Sequence, residues 1–462
     1  MEAGGRRAEW HPEEMDLLVT PLAPPPEPLD LCERLGSLPK LLLLDSAARG
    51  PTGRYSYLMA DPARVFTSRV PGDVLAEARS TLARFATLRL PGLPPFQGGL
   101  AGFIGYDHGR VLERLPPPRA DDLEVPDVWL GLYDWVIAWD HATGEAWLVS
   151  SGLPERGAAA TRRAAARSRE VLALIASAKP PVTPAPSRHT AGVPSSNFTR
   201  AGYMAAVARV REYILAGDVF QVNISQRFEA PLPCAPLELY RRLRVRNPAP
   251  YSAYLDAGGF QVISASPERF LRLDGDRVET RPIKGTRPRD PDPVRDAALA
   301  RELAASPKDQ AENVMIVDLL RNDLSRVCRP GSVDVPALLA LETLPTVHHL
   351  VSTVTGRLEP ACDAFDLVRA AFPGGSITGA PKVRAMEIIA ELEPVRRSVY
   401  CGSIGYFALS GDMDTSIVIR TFLAASDRVC FHAGGGIVAD SEPALEYEET
   451  LHKARALLDA LA

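Results

Sequence analysis

Long apolar runs are missing from this chain. Its longest run of large aliphatic side chains is Leu41–Leu44, far short of the roughly 20 residues a membrane helix needs. The N-terminus carries Glu2, Glu9, Glu13, Glu14 and Asp16 where a secretory or transit signal would be apolar or poor in acids. A cytoplasmic protein without membrane contact is expected. Cysteine is scarce: the six, at 32, 234, 328, 362, 401 and 430, include no Cys-x-x-Cys pair. That argues against zinc or dithiol chemistry and leaves buried free thiols. The eight histidines form no His-Glu-x-x-His helix, so a transition-metal site is not expected, whereas magnesium held by carboxylates stays open. Charge of one sign is lacking too, since 52 basic against 57 acidic residues leave −5. No basic face offers itself to nucleic acid.

What is present is the composition of a soluble globular protein of 462 residues, 46% hydrophobic and 24% charged, long enough for two domains or one large composite one. Prolines at 180, 181, 184, 186 and 194 mark residues 179–197 as a linker without regular structure. It separates an N-terminal α+β region, 1–178, from a C-terminal region, 198–462, expected to hold the chemistry. Strands are read at 41–46, 55–58, 99–106 and 128–139 before the linker, and at 220–228, 260–266, 269–273, 277–284, 402–409, 415–424 and 428–431 after it. Helices are read at 155–177, 199–216, 311–320, 381–391 and 444–461. Hairpin-linked strands outnumber crossover helices, so antiparallel sheets are favoured over a parallel one.

Several patterns bear on chemistry. Lys284 follows Ile283 in an extended segment, so the two side chains should face opposite ways, one to a core and one to a cavity. A lysine desolvated there serves as nucleophile or proton carrier; an exposed one is only a surface charge. Residues 372–382, FPGGSITGAPK, form a glycine-rich loop leading into a helix, fit either for an anion or for a tight turn. Glu446 and Glu449 share a helix face with Lys453, and Glu312 lies on another helix. These carboxylates are either solvated or converge on magnesium. His349, beside His348, is a candidate general acid. Arg420, within the apolar strand read over 417–423, calls for a carboxylate partner from protein or ligand.

Together, residues 217–227 (GDVFQVNISQR), 266–270 (SPERF), 317–323 (VDLLRND), 379–386 (GAPKVRAM) and 434–438 (GGGIV) resemble, in order, the motifs of the chorismate-utilising enzymes. Weaker similarity continues at 53–58 and 102–107. The resemblance implies an α+β sandwich of large antiparallel sheets with peripheral helices. It also implies Mg2+ held by Glu312, Glu446 and Glu449, with Glu268 as acid, Lys284 as nucleophile and His349 near the departing groups. Substrate contacts are implied for Gln221, Gly375, Thr378, Tyr406, Arg420, Gly434, Gly435 and Lys453. Members that add water carry lysine in place of Gln221, and anthranilate-forming members carry alanine in place of Lys284. The pair therefore resembles members that aminate chorismate at C4. With no Gly-x-Cys-x-Gly turn in the chain, ammonia would come from a separate glutaminase subunit or from free ammonium. Asp45, Ser46, Pro250, Tyr251 and Ser252 resemble the family's tryptophan pocket, an apolar slot with a hydroxyl for the ligand amine. Asn313, Ser325 and His452 depart from the commonest family residues. The alternatives are an anthranilate-forming enzyme and a non-catalytic chorismate- or tryptophan-binding regulator.

Overall fold

The computed structural model describes residues 17–68, 73–117, 119–177, 194–344 and 347–462. The acidic N-terminal residues and most of the proline-rich stretch lie outside the described residues. The end of that stretch is regular, contrary to expectation: Ser195–Ser196 pair with Glu229 and Phe228.

Two antiparallel sheets face each other, one of twelve strands and one of ten among the described residues. Both draw on the regions before and after residues 178–193. In the larger sheet Leu42–Asp45 pairs with Tyr251–Asp256, and in the smaller Gly99–Ile104 pairs with Ser403–Ala408. One apolar core, with Tyr57, Phe103, Trp129, Leu255 and Val418, fills the space between the sheets. Two further cores lie outside them under the helices. This is the expected sandwich, and it follows from alternating strands that bury both faces.

The chain passes between sheets at two neighbouring places. Phe260–Ser266 lies in the larger sheet and Arg269–Asp274 in the smaller, while Met413–Ile417 lies in the smaller and Thr421–Ala425 in the larger. The crossovers run side by side, since the Ile417 amide donates to the Glu268 carbonyl and the Ser266 hydroxyl donates to the Ile417 carbonyl.

Three expected strands are corrected here. The segment 277–284 breaks into Arg277–Thr280 and Ile283–Pro288, because Pro282 has no N–H to continue the ladder. The segment 415–424 divides at the second crossover, so Arg420 is not within a strand. The strand read at 428–431 continues through three glycines to Ile437, held by an antiparallel ladder against Gln221–Pro231.

Candidate active site

Glu268 occupies the first crossover and Arg420 the second. Arg420 adopts φ +53°, an uncommon conformation for a residue with a side chain, and Ser398 and Cys401 nearby are also left-handed. The Glu268 carboxylate accepts a 2.7 Å hydrogen bond from the Ser376 hydroxyl. Burial lifts this carboxyl to about 7, against the opposing influence of Ser376 and Lys284. It therefore holds a proton to near neutrality, as a general acid must.

Lys284 enters from the edge strand Ile283–Pro288 of the smaller sheet. Burial pushes its ammonium below the ordinary lysine value, Glu312 being the main charge that opposes the shift. It makes no ion pair among the described residues. Gly285 after it has φ +83°, and a Cβ there would stand 2.8 Å from Leu303. Ile283 does not join a core, contrary to expectation; it is half-buried in a small crevice with His349.

Gln221 approaches from the larger sheet. A Cβ on Gly436 would stand 1.8 Å from Gln221 Nε2 and 3.4 Å from Lys284 Nζ, so glycine is what lets backbone, amide and amine meet. The Gln221 Oε1 atom is buried without a partner among the described residues.

The final helix, Pro443–Leu461, and Pro307–Ser325 supply the carboxylates. A Cβ on Gly435 would lie 3.2 Å from Glu446 Oε2 and 3.4 Å from Glu449 Oε1. Lys308 stands 3.6 Å from Glu446 and Lys453 2.6 Å from Glu449. Burial raises the Glu312 and Glu446 carboxyls, whereas Lys453 holds Glu449 low. Among the described residues no three potential ligand side chains are close enough together to hold a metal. The Lys453 amine also donates to the Gly434 carbonyl at 3.1 Å, and Arg420 donates to the Lys453 carbonyl. Arg420 is half-buried without a carboxylate ion-pair partner among the described residues, which leaves that role to an anionic ligand.

Residues 43–459 match the family model described as chorismate binding enzyme. This chain belongs to the chorismate-binding enzyme family. It is 46% identical over 440 residues to aminodeoxychorismate synthase component 1 of Salmonella typhimurium, covering 92% of this chain and 93% of that protein. It is 44% identical over 427 residues to anthranilate synthase component 1 of Streptomyces coelicolor, covering 91% and 83%. Its structure matches anthranilate synthase component I from Streptococcus pneumoniae with a TM-score of 0.78 and 32% identity, over 89% of this chain and 93% of that one. It is an enzyme that acts on chorismate.

For this chorismate-binding enzyme some sequence expectations need correction. Tyr406 is not at the site: its ring packs on Phe96 and Tyr57, and it lines a second cavity. Tyr400 is the tyrosine within electrostatic reach of Arg420, and no spacing in the sequence marks it. Ser376 lay inside the quoted glycine-rich loop, but only its contact with Glu268 reveals a role. The loop does not run straight into a helix. Gly375–Ile377 forms a 3-10 turn and Gly379–Ala380 a short strand before the helix Lys382–Leu392, whose Lys382 pairs with Asp323 at 2.7 Å. Gly375 packs towards Leu319, and Thr378 donates to the Gly374 carbonyl at 3.0 Å, so the turn shapes the wall behind Glu268.

His349 bonds Thr286 Oγ1 at 2.9 Å; burial, then Arg420, lowers it to about 4. At neutral pH it is an uncharged imidazole, ill suited to deliver a proton as an acid. Among the departures, Asn313 ties its helix to the neighbouring strand through Leu350 and Ser352, while His452 points to solvent.

The second cavity, about 210 Å³, lies between the sheets and includes Asp45, Ser46, Pro250, Tyr251 and Ser252. It is more polar than the slot expected, with Arg54, Arg269, Arg272 and Asp414 in its wall. The Asp45 carboxylate is engaged by Arg244 at 2.6 Å and Tyr240 at 2.8 Å. The Ser46 hydroxyl is used by main-chain carbonyls.

Proposed function

We propose that this chain acts as aminodeoxychorismate synthase component I, converting chorismate and ammonia to 4-amino-4-deoxychorismate and water in the cytoplasm, on the way to 4-aminobenzoate and folate. The observation that carries it is the meeting of the half-buried, desolvated Lys284 with Gln221 over Gly436, beside a protonatable Glu268. A desolvated lysine has an amine ready to attack, and glutamine in place of lysine at position 221 provides no base for water.

In this mechanism the Lys284 amine bonds to ring C2, both double bonds of the ring diene shift, and the C4 hydroxyl departs as water with the Glu268 proton. The Glu268 carboxylate then takes up the extra proton of the Lys284 nitrogen. Ammonia bonds to C4, both double bonds shift back, the lysine amine is expelled with the proton returned by Glu268, and Glu268 recovers a proton from the new C4 ammonium. Arg420 and Tyr400 face a chorismate carboxylate, and the neutral His349 steadies Gly285 and Thr286 next to the nucleophile.

Glu446 and Glu449 bring hard oxygen donors together beside Gly435, with Glu312 in electrostatic reach of Glu449; the donor chemistry suits Mg2+, although the three carboxylates do not stand close enough together here to form a closed site. When bound, Mg2+ would neutralise a chorismate carboxylate; Lys308 and Lys453 balance the glutamates otherwise. Ammonia comes from a separate glutaminase subunit. The second cavity takes L-tryptophan, its polar wall facing the amino and carboxylate groups; titration calorimetry should show saturable heat, and no heat removes the ligand.

Lys284→Ala should reduce C4 amination by at least about a thousandfold while chorismate still binds, measured by chromatography of products and equilibrium binding. Undiminished C4 product would rule out lysine as nucleophile.

A further inference from the structure

The segment that carries Lys284 is out of step with its neighbour. Ile283–Pro288 pairs with Val347–Arg357 so that Ile283 faces Val351 and Thr286 faces His349. Lys284 and Gly285 are therefore both set against Leu350, a bulge of the kind that breaks the alternation of a strand and re-aims a side chain. A second irregularity lies on the other side of the same strand. Asp334–Thr343 places Ala337 against Thr353 and Ala340 against Val351. Leu338 and Leu339 thus both face Ser352, and Leu339 is left-handed at φ +57°.

One side chain reaches both irregularities. The helix Pro307–Ser325 buries Asn313, Ile316, Val317, Leu320 and Leu324 along one face, and an apolar residue at 313 would serve the packing as well. Asn313 is instead fully buried with both ends of its amide engaged. Its Nδ2 donates to the Leu350 carbonyl, opposite Lys284, at 3.1 Å, and its Oδ1 accepts from the Ser352 hydroxyl at 2.5 Å. The Ser352 oxygen in turn accepts from the Leu339 amide at 3.0 Å, and the Ser352 amide donates to the Pro282 carbonyl at 3.2 Å. Lys284 is thus tied from before through Pro282, from across the ladder through Leu350, and from behind through the bond between Thr286 and His349. Asn313 also adjoins Glu312, so one helical turn sets that carboxylate and the lysine relative to each other. A satisfied polar network buried among apolar side chains rigidifies and specifies one local arrangement.

We propose that Asn313 is a positioning residue for the nucleophile, holding the two bulges in place and so aiming the Lys284 amine at the reacting ring carbon. The inference rests on the reading of Lys284 as nucleophile.

The test is steady-state amination of chorismate by the full chain with magnesium and saturating ammonium chloride. Asn313→Ala should lower kcat about a hundredfold, as a misplacement of about 1 Å does, and leave the chorismate KM within about twofold. Asn313→Leu, which fills the space without the bonds, should be as slow; a residue needed only for packing would be rescued by it. Ser352→Ala, a smaller lesion that keeps the test open should position 313 not tolerate change, should lower kcat about tenfold at unchanged KM. Made in a Lys284→Ala chain, Asn313→Ala should add no further loss to the residual turnover, because the amine it aims is gone. Wild-type kcat in Asn313→Ala or Ser352→Ala, recovery in Asn313→Leu, or a further hundredfold loss in the Lys284→Ala chain would overturn the positioning role. Undiminished amination by Lys284→Ala alone would instead overturn the nucleophile on which it rests.

Discussion

Glu268 shows how a single residue trades stability for chemistry. An accessible glutamate ionises near 4.5, whereas burial holds this one to about 7. Below the lower value both folded and unfolded chains are protonated. As pH rises between the two values the unfolded chain ionises first, so stability is lost over that interval and not recovered above it. The difference amounts to about 3 kcal/mol. Glu268→Gln, which removes the charge but can retain the Ser376 contact, should stabilise the protein by about that amount at pH 8 and hardly at all at pH 4. Denaturant titrations at the two pH values check this; equal effects at both would show that Glu268 is not held protonated. Lys284 and Gln221 were legible from residue identity within motifs. Tyr400 was not, because a tyrosine placed by a left-handed bend carries no periodic signal, and Tyr406 in the adjoining strand was the more conspicuous choice.

At the scale of elements, the site depends on interruptions of regular structure. Glu268 and Arg420 are placed by chain crossovers, and Lys284 stands between a proline break and a left-handed glycine. Strand boundaries read from sequence held at the first crossover, where one strand ends at Ser266 and the next begins at Arg269; they went wrong at the second crossover, where apolar residues run on and give no sign that the partner sheet has changed, and at the proline break. Long helices and the antiparallel pairing were legible because periodicity and turn residues act locally. Gly285→Ala would introduce a Cβ at φ +83°, 2.8 Å from Leu303 and 2.9 Å from Asp309. A loss of about 1–3 kcal/mol is expected, together with a fall in turnover as Lys284 shifts. Urea unfolding and steady-state kinetics on the same preparation check it, and wild-type stability would contradict the strain assigned here.

For the whole molecule, reading two regions from composition left out how they are joined. Strands from both contribute to both sheets, and the cavity lined by Ser46 and Tyr251 exists only because Leu42–Asp45 pairs with Tyr251–Asp256. Partner choice between distant strands is a tertiary property that alternation within each strand does not encode. The family was legible because motif order survives this folding, and the choice of reaction within the family turns on the groups that the two sheets bring together. The central test is therefore chemical: incubate the purified chain with chorismate, magnesium and ammonium, without glutaminase, and identify the product by chromatography and mass. The arrangement of Lys284, Glu268 and Gln221 predicts 4-amino-4-deoxychorismate, converted to 4-aminobenzoate when a lyase is added; anthranilate as the product would contradict it.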